Sequence, residues 1–346
     1  MYNVWACGSN GNCQLGLEDD KDRDQLEKVN FRTPQGFSRA LDEKPVKIAC
    51  GGNHTLILMH DGSVYGCGSN ESGQISSSQL QAGVFEKLEM PYIIKDVVAT
   101  WESSVFVTQQ DQIYVCGKGL SGELGLGKSC TQAGLTKLDL PETGRIVKIE
   151  SSLHNVVVEL ENGTLIGFGN NKKGQLLEGG AKLVWTPTKL PTKARQFSLA
   201  RDFAVYLNDS LKIQGKDQFQ IASTAQQLDV KEVQQIRTMW SSVHLITNTA
   251  LMSIGNNSHG QHFPGFDSST TISSPTYAIG SEHGLVASDS KVFAWGWGEH
   301  GNCGRHRGSL SGVTFDYLNQ IYSEPQPVVE VFAGCATSWV ITRSTC

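Results

Sequence analysis

The sequence has no excess of basic charge, no long apolar run, no closely spaced cysteine pair and no helical periodicity. Of its 346 residues, 29 are Lys or Arg and 34 are Asp or Glu, which gives a formal net charge of −5. That balance argues against a protein that works by covering a nucleic-acid backbone, which needs a clear basic excess. No stretch approaches the roughly 18 apolar residues of a membrane-spanning helix. The opening MYNVWACGSN lacks a basic start followed by an apolar run, so a cytosolic or nuclear protein is expected. Nine cysteines are scattered without a C-x-x-C pair and are expected as free thiols. No G-x-S-x-G or other nucleophile motif occurs, so no enzyme, cofactor or resident metal is expected.

What the sequence does have is repetition. VWACGSNGNCQLG begins at Val4, VYGCGSNESGQI at Val64 and IYVCGKGLSGELG at Ile113. LIGFGNNKKGQL follows at Leu165, a worn LKIQGKDQFQ at Leu211, LMSIGNNSHGQ at Leu251 and VFAWGWGEHGNCG at Val292. Their leading glycines are Gly8, Gly68, Gly117, Gly169, Gly215, Gly255 and Gly296. A second motif alternates with the first, as in VKIACGGNHTLIL from Val46 and TYAIGSEHGLV from Thr276. Pro45, Pro91, Pro141, Pro191, Pro275 and Pro327 lie just upstream of six of its copies, where proline can start a strand but not sit inside one.

The two motifs join into hairpins. Asp61–Gly62 and Asn162–Gly163 lie between apolar runs and favour the positive φ of two-residue turns; Asn208–Asp209, Asn248 and Asp289 occupy the same place in other copies. Short strands, regular turns and a period near 50 residues predict an all-β chain: one seven-bladed β-propeller over residues 1–346. The last copy, EVFAGCATSWVI, has no returning strand, and NVWACG is a returning strand with no predecessor. Pairing of N- and C-terminal strands would close the ring and remove its open edges.

G-x-N-x-x-G-Q-L-G followed by G-x-x-H-T/S resembles the regulator of chromosome condensation repeat family, whose members are seven-bladed propellers. Within it, CGGNHT, GSEHG, WGWGEHGNCG and GCATSW, in that order, resemble a budding-yeast member. That resemblance implies a non-enzymatic partner of a small cysteine-metal electron carrier, diphthamide biosynthesis protein three. The two would form a heterodimer that supports Elongator-dependent modification of transfer RNA wobble uridines and the first step of diphthamide biosynthesis. The alternative is a guanine nucleotide exchange factor for a Ran-type small GTPase, as the family's namesake is.

The leading glycines end strands and open no helix, so they read as structural rather than phosphate-cradling. His54 and His283 share a repeat position that Ser104, Asn155, Phe203, Ser242 and Thr337 fill elsewhere. They read as blade-spanning hydrogen-bond donors, not metal ligands. His259 and His262 have near-ligand spacing but no third ligand. Cys7, Cys67 and Cys116 read as core, whereas Cys13 and Cys303 are expected to be more exposed. The acidic run EDDKDRD, residues 18–24, reads as a solvated loop. The candidate partner-binding residues are tryptophans where other repeats carry small or polar residues: Trp101, Trp240 and Trp297, with Glu299 and His300 beside the last.

Overall fold

The computed structural model describes residues 1–75, 80–248, 250–266, 275–288, 290–307 and 311–344; Asp289 lies outside them. Seven antiparallel sheets form a seven-bladed propeller. Blade 1 runs from its inner strand Pro45–Cys50 through His54–Met59 and Val64–Ser69 to an outer strand Gln81–Lys87. Blade 2 repeats this over Ile94–Ala99, Ser103–Thr108, Ile113–Lys118 and Gln132–Leu138, and blade 3 over Ile146–Ser151, Asn155–Leu160, Leu165–Asn170 and Leu183–Lys189. Among the described residues, blades 4 and 5 hold three strands each, starting at Gln196–Leu199 and Gln235–Thr238. Blade 6 has inner strand Thr276–Ile279, then His283–Ser288, Lys291–Trp297 and Thr314–Tyr322.

Blade 7 is the predicted seam. Val328–Ala333 and Thr337–Arg343 come from one end of the sequence, Tyr2–Gly8 and Arg23–Lys28 from the other. Tyr2 pairs with Arg343 and Gly8 with Thr337, an unbroken antiparallel register. A short hairpin, Phe31–Thr33 and Gly36–Ser38, carries the chain from this blade to the next, pairing Phe31 with Phe85 of blade 1.

The core is not one central cluster. Six apolar clusters lie mainly between neighbouring sheets: Val4, Ile57, Phe85 and Trp339 between blades 7 and 1, for example, and Leu56, Ile94, Val97 and Phe106 between blades 1 and 2. Each sheet is apolar on both faces because it packs against a neighbour on either side, which explains fully buried second strands such as HTLILM and SSVFVT.

The repeat motif has a physical explanation. In the loop after the third strand of blades 7, 3 and 5, an Asn side chain accepts the backbone N–H five residues on: Asn10 from Leu15, Asn171 from Leu176 and Asn257 from His262, each at 2.9 Å. The Gln of the motif accepts an N–H two residues back, as Gln14 does from Asn12 at 2.8 Å. Its carbonyl then receives a side-chain donor from a neighbouring blade: Thr55 donates to Gln14, and Ser104 to Gln74. The motif folds the loop and fastens one blade to the next.

Three expectations need correction. The position shared by His54 is Ser103, not Ser104, because Ser103 pairs with Gly117 as His54 pairs with Gly68. Cys303 is fully buried rather than exposed. It stands one residue before Gly304 as Leu15 stands before Gly16, an inward-facing core position, and its Sγ lies 3.5 Å from the Trp295 carbonyl. The chain also contains a short helix, Ile221–Ala225, where an outer strand of blade 4 would otherwise return. Asp217 still accepts an N–H five residues on, from Ala222, but Phe219 and Gln220 take positive φ and lead into the helix.

Candidate protein-docking face

In an antiparallel blade the inner and third strands run the same way, so the turns that follow them open on one face of the ring. Trp101 and Trp240 lie in the turns after the inner strands of blades 2 and 5, and Trp297 ends the third strand of blade 6. The fold therefore places all three on one face, and each is half-buried.

The turns form a ring around the central channel. The residue two before each second strand is Gly52, Trp101, Leu153, Arg201, Trp240, Ser281 and Cys335 in turn. Backbone bonds link neighbours in this ring: Gly52 N–H donates to the Trp101 carbonyl at 3.0 Å, Trp101 to Leu153 at 2.9 Å and Trp240 to Ser281 at 2.7 Å. Both indoles line a cavity of about 160 Å³ at the channel mouth, with Leu153, Ser281 and Cys335 among the other walls. Tryptophans held by a bonded ring lose little freedom on contact, which suits an interface anchor.

Trp297 sits farther out, at the junction of blades 5 and 6. Its backbone N–H donates to the Glu282 carbonyl at 2.9 Å, and its ring stacks on His259 of blade 5, 4.6 Å between centroids and 16° apart. Its indole nitrogen is buried and has no acceptor among the described residues. Glu299 is exposed and takes no partner among the described residues. His300 is already engaged, with Nδ1 2.8 Å from Asp22 Oδ2 in the loop of blade 7. The structure thus brings Trp101 and Trp240 together at the channel and sets Trp297, Glu299 and His300 to one side.

The acidic run is largely exposed, as expected of a solvated loop, and several of its side chains are also engaged. Asp19 accepts from Arg23 at 2.6 Å, Asp22 takes the Asn10 N–H at 2.7 Å, and Asp24 pairs with Arg305 of blade 6 at 2.7 Å. Asp24–Arg305 and His300–Asp22 clasp blade 6 to the seam blade. Sequence reasoning also missed Glu282, Ser241 and Gln261, a polar cluster at the blade 5–6 junction. Glu282 stands next to a repeat histidine, where its role shows only once the two blades are side by side.

The histidines hold the ring, as expected. His54 Nε2 lies 3.0 Å from Ser104 Oγ of the next blade, and His283 Nε2 lies 2.9 Å from Ser338 Oγ of the next. Burial lowers both to about 4, so both are neutral at pH 7. Cys7, Cys67 and Cys116 are fully buried, and burial raises the Cys7 and Cys67 thiols, Cys7 to about 12. Among the described residues, no three His, Cys, Asp or Glu side chains are placed to hold a metal ion.

The regulator of chromosome condensation (RCC1) repeat models match residues 3–58 and 46–74. The chain carries matches to the RCC1 repeat over residues 3–74 and folds as a seven-bladed propeller. It is 29% identical to an RCC1 repeat-containing protein of Schizosaccharomyces pombe, over 97% of each chain. It is 23% identical to the secretion-regulating guanine nucleotide exchange factor of Bos taurus, over 87% of this chain and 75% of that one. Among solved structures, Prp20p of Saccharomyces cerevisiae superposes with a TM-score of 0.81 at 16% identity, over 100% of this chain and 92% of that one. Human WBSCR16 gives 0.78 at 15% identity, with both chains fully covered. At these identities the superpositions speak for the propeller fold alone.

Proposed function

We propose that this RCC1-repeat propeller is a non-catalytic docking partner of a small cysteine-metal electron carrier, diphthamide biosynthesis protein three. Through that heterodimer it serves Elongator-dependent wobble uridine modification and the first step of diphthamide formation, in the cytosol and the nucleus. The observation that carries a docking role is the convergence of Trp101, Trp240 and Trp297 on one face of a rigid ring. The partner's identity comes from the resemblance of CGGNHT, GSEHG, WGWGEHGNCG and GCATSW to the budding-yeast killer toxin insensitivity protein thirteen. The face supplies anchors and no catalytic set, so the electron chemistry belongs to the carrier.

The test is calorimetric titration of the purified chain with the purified metal-loaded carrier. A one-to-one complex, weakened by alanine at the face tryptophans, is expected. If the carrier does not bind while a GDP-loaded Ran-type GTPase exchanges its nucleotide faster in the chain's presence, the exchange-factor reading replaces this one.

A further inference from the structure

Among the described residues, blade 4 ends one strand early. In five blades a fourth strand covers the outer edge of the third, and one backbone bond recurs. Leu88 N–H donates to the Val64 carbonyl and Leu190 N–H to the Leu165 carbonyl, each at 2.8 Å, and Val29 N–H to the Val4 carbonyl at 3.0 Å. The accepting residue stands four before the leading glycine, which in blade 4 makes it Leu211, on the strand Leu211–Gly215. No described backbone group pairs with the outer side of this strand, where the Leu211 carbonyl and the Ile213 N–H and carbonyl point. Side-chain cover is reduced as well. Lys212 is exposed and Ile213 half-buried, whereas Tyr114 and Val115 in blade 2, and Ile166 and Gly167 in blade 3, are buried at the same positions. The chain that follows forms the helix Ile221–Ala225, which packs between blades 4 and 5 without pairing this edge. An uncovered strand edge is a template for one more strand.

The other blades show what such an edge accepts. The donating leucine also covers the third strand: a Cβ on Gly66 would lie 3.2 Å from Leu88 Cδ2, and one on Gly167 3.0 Å from Leu190 Cδ2. In blade 2 a β-branched residue sits at that place, Val115, in one buried cluster with Leu138. Ile213 holds the place in blade 4. Charge then sets blade 4 apart. In four blades the fourth strand puts a lysine opposite an apolar or aromatic residue: Lys87 on Tyr65, Lys137 on Tyr114, Lys189 on Ile166 and Lys28 on Trp5. Blade 4 carries Lys212 on the receiving side instead. Its ion partner among the described residues is the exposed Glu178, 4.0 Å away. A second lysine opposite Lys212 would set like charges together, whereas a carboxylate there forms a cross-strand ion pair. That disfavours an outer strand swapped in from a second copy of this chain and selects an acidic one.

We infer that the outer edge of blade 4 takes an extended strand of a partner protein, antiparallel to Leu211–Gly215, with an acidic residue opposite Lys212 and a leucine directly after it. The leucine N–H donates to the Leu211 carbonyl, and its side chain covers Ile213. The main-chain bonds supply affinity, and the leucine and the carboxylate supply selectivity. The site lies on the rim of the ring, apart from the tryptophan face, and does not depend on the carrier.

The full chain, carrying isotopically labelled isoleucine, is titrated with the peptide acetyl-Thr-Val-Thr-Glu-Leu-amide. The readout is the Ile213 amide resonance, assigned with Ile213→Val. A saturable shift is expected, with affinity about fivefold weaker when lysine replaces the glutamate of the peptide. Lys212→Glu should reverse that preference. Lys212 is exposed, so the melting temperature of this variant should stay close to that of the unaltered chain. A peptide ending in N-methyl-leucine has no N–H for the Leu211 carbonyl and should give no saturable shift. The inference is overturned if the glutamate peptide gives no saturable shift, if the lysine or N-methyl peptide binds as well, or if Lys212→Glu leaves the preference intact. It is equally overturned if the resonance moves with chain concentration alone, which would assign the edge to a second copy.

Discussion

The leading glycines and the shared histidines show how single residues seal the ring. All seven leading glycines have φ between +97° and +113°, and a Cβ on each would strike the backbone carbonyl that precedes the second strand of its blade. At Gly296 that carbonyl is Glu282 O, 2.6 Å away, so the residue that shapes the loop also sets the turn that carries Glu282. The buried histidines link stability to pH. In the fold His54 and His283 titrate at about 4 and His244 at about 3, all through burial, whereas an unfolded histidine titrates near 6.5. Their contribution is complete above roughly pH 6.5 and is lost as the pH falls towards 4, because the unfolded chain takes up protons that the fold refuses. Thermal melts should therefore drop in temperature from pH 7 to pH 5. Asn155 shows that Asn fits the shared position, so His283→Asn should lower stability at pH 7 by about 1–3 kcal/mol, through the lost bond to Ser338, and flatten the pH slope. An unchanged slope would contradict this account. The histidine contacts were legible in the repeat alignment to within one residue. The slip to Ser104 arose because Ser103 and Ser104 are both serine, and only strand pairing tells them apart.

Among the elements, the seam decides whether the ring is closed. Tyr2–Gly8 is the third strand of blade 7 and lies between Thr337–Arg343 and Arg23–Lys28. Val4, Ala6 and Cys7 are fully buried in it. Deleting residues 1–8 removes the middle of a sheet, exposes two strand edges and uncovers the Trp339 and Ile341 cluster. The truncated chain should melt roughly 10 °C or more lower, or lose its cooperative transition; scanning calorimetry on both forms decides. The seam could be read from the sequence because each half is an incomplete hairpin. The outer strand that blade 4 lacks among the described residues could not, because a strand absent from the sheet leaves no pattern to detect. The helix Ile221–Ala225 is too short to show a helical period, and its buried Ile221 and Ala225 reflect packing against blades 4 and 5.

The whole molecule is a closed ring of seven blades with Trp101, Trp240 and Trp297 on one face. The purified chain is expected to carry no stoichiometric iron or zinc, and elemental analysis finding about one ion per chain after mild chelation would refute that. The prominence of the tryptophans was legible because each breaks a repeat. Their convergence was not: it depends on the inner and third strands of different blades opening on the same side. That convergence ranks the anchors. Trp240 belongs both to the channel cavity and, through Ser241, to the Glu282 cluster, so Trp240→Ala should weaken carrier binding most, by about 2 kcal/mol or roughly thirtyfold. Trp297→Ala should come next, because its ring already stacks on His259 and part of its area is covered without a partner. His300→Ala should cost least, since His300 is engaged by Asp22 and would act only by loosening the clasp to blade 7. Lys172→Ala, an exposed change in the corresponding loop of blade 3, is the control. Calorimetric affinities measured alongside melting temperatures check the order. If Trp240→Ala and Trp297→Ala fold normally and bind the carrier as tightly as Lys172→Ala does, the carrier docks on the opposite face, where the turns between second and third strands lie.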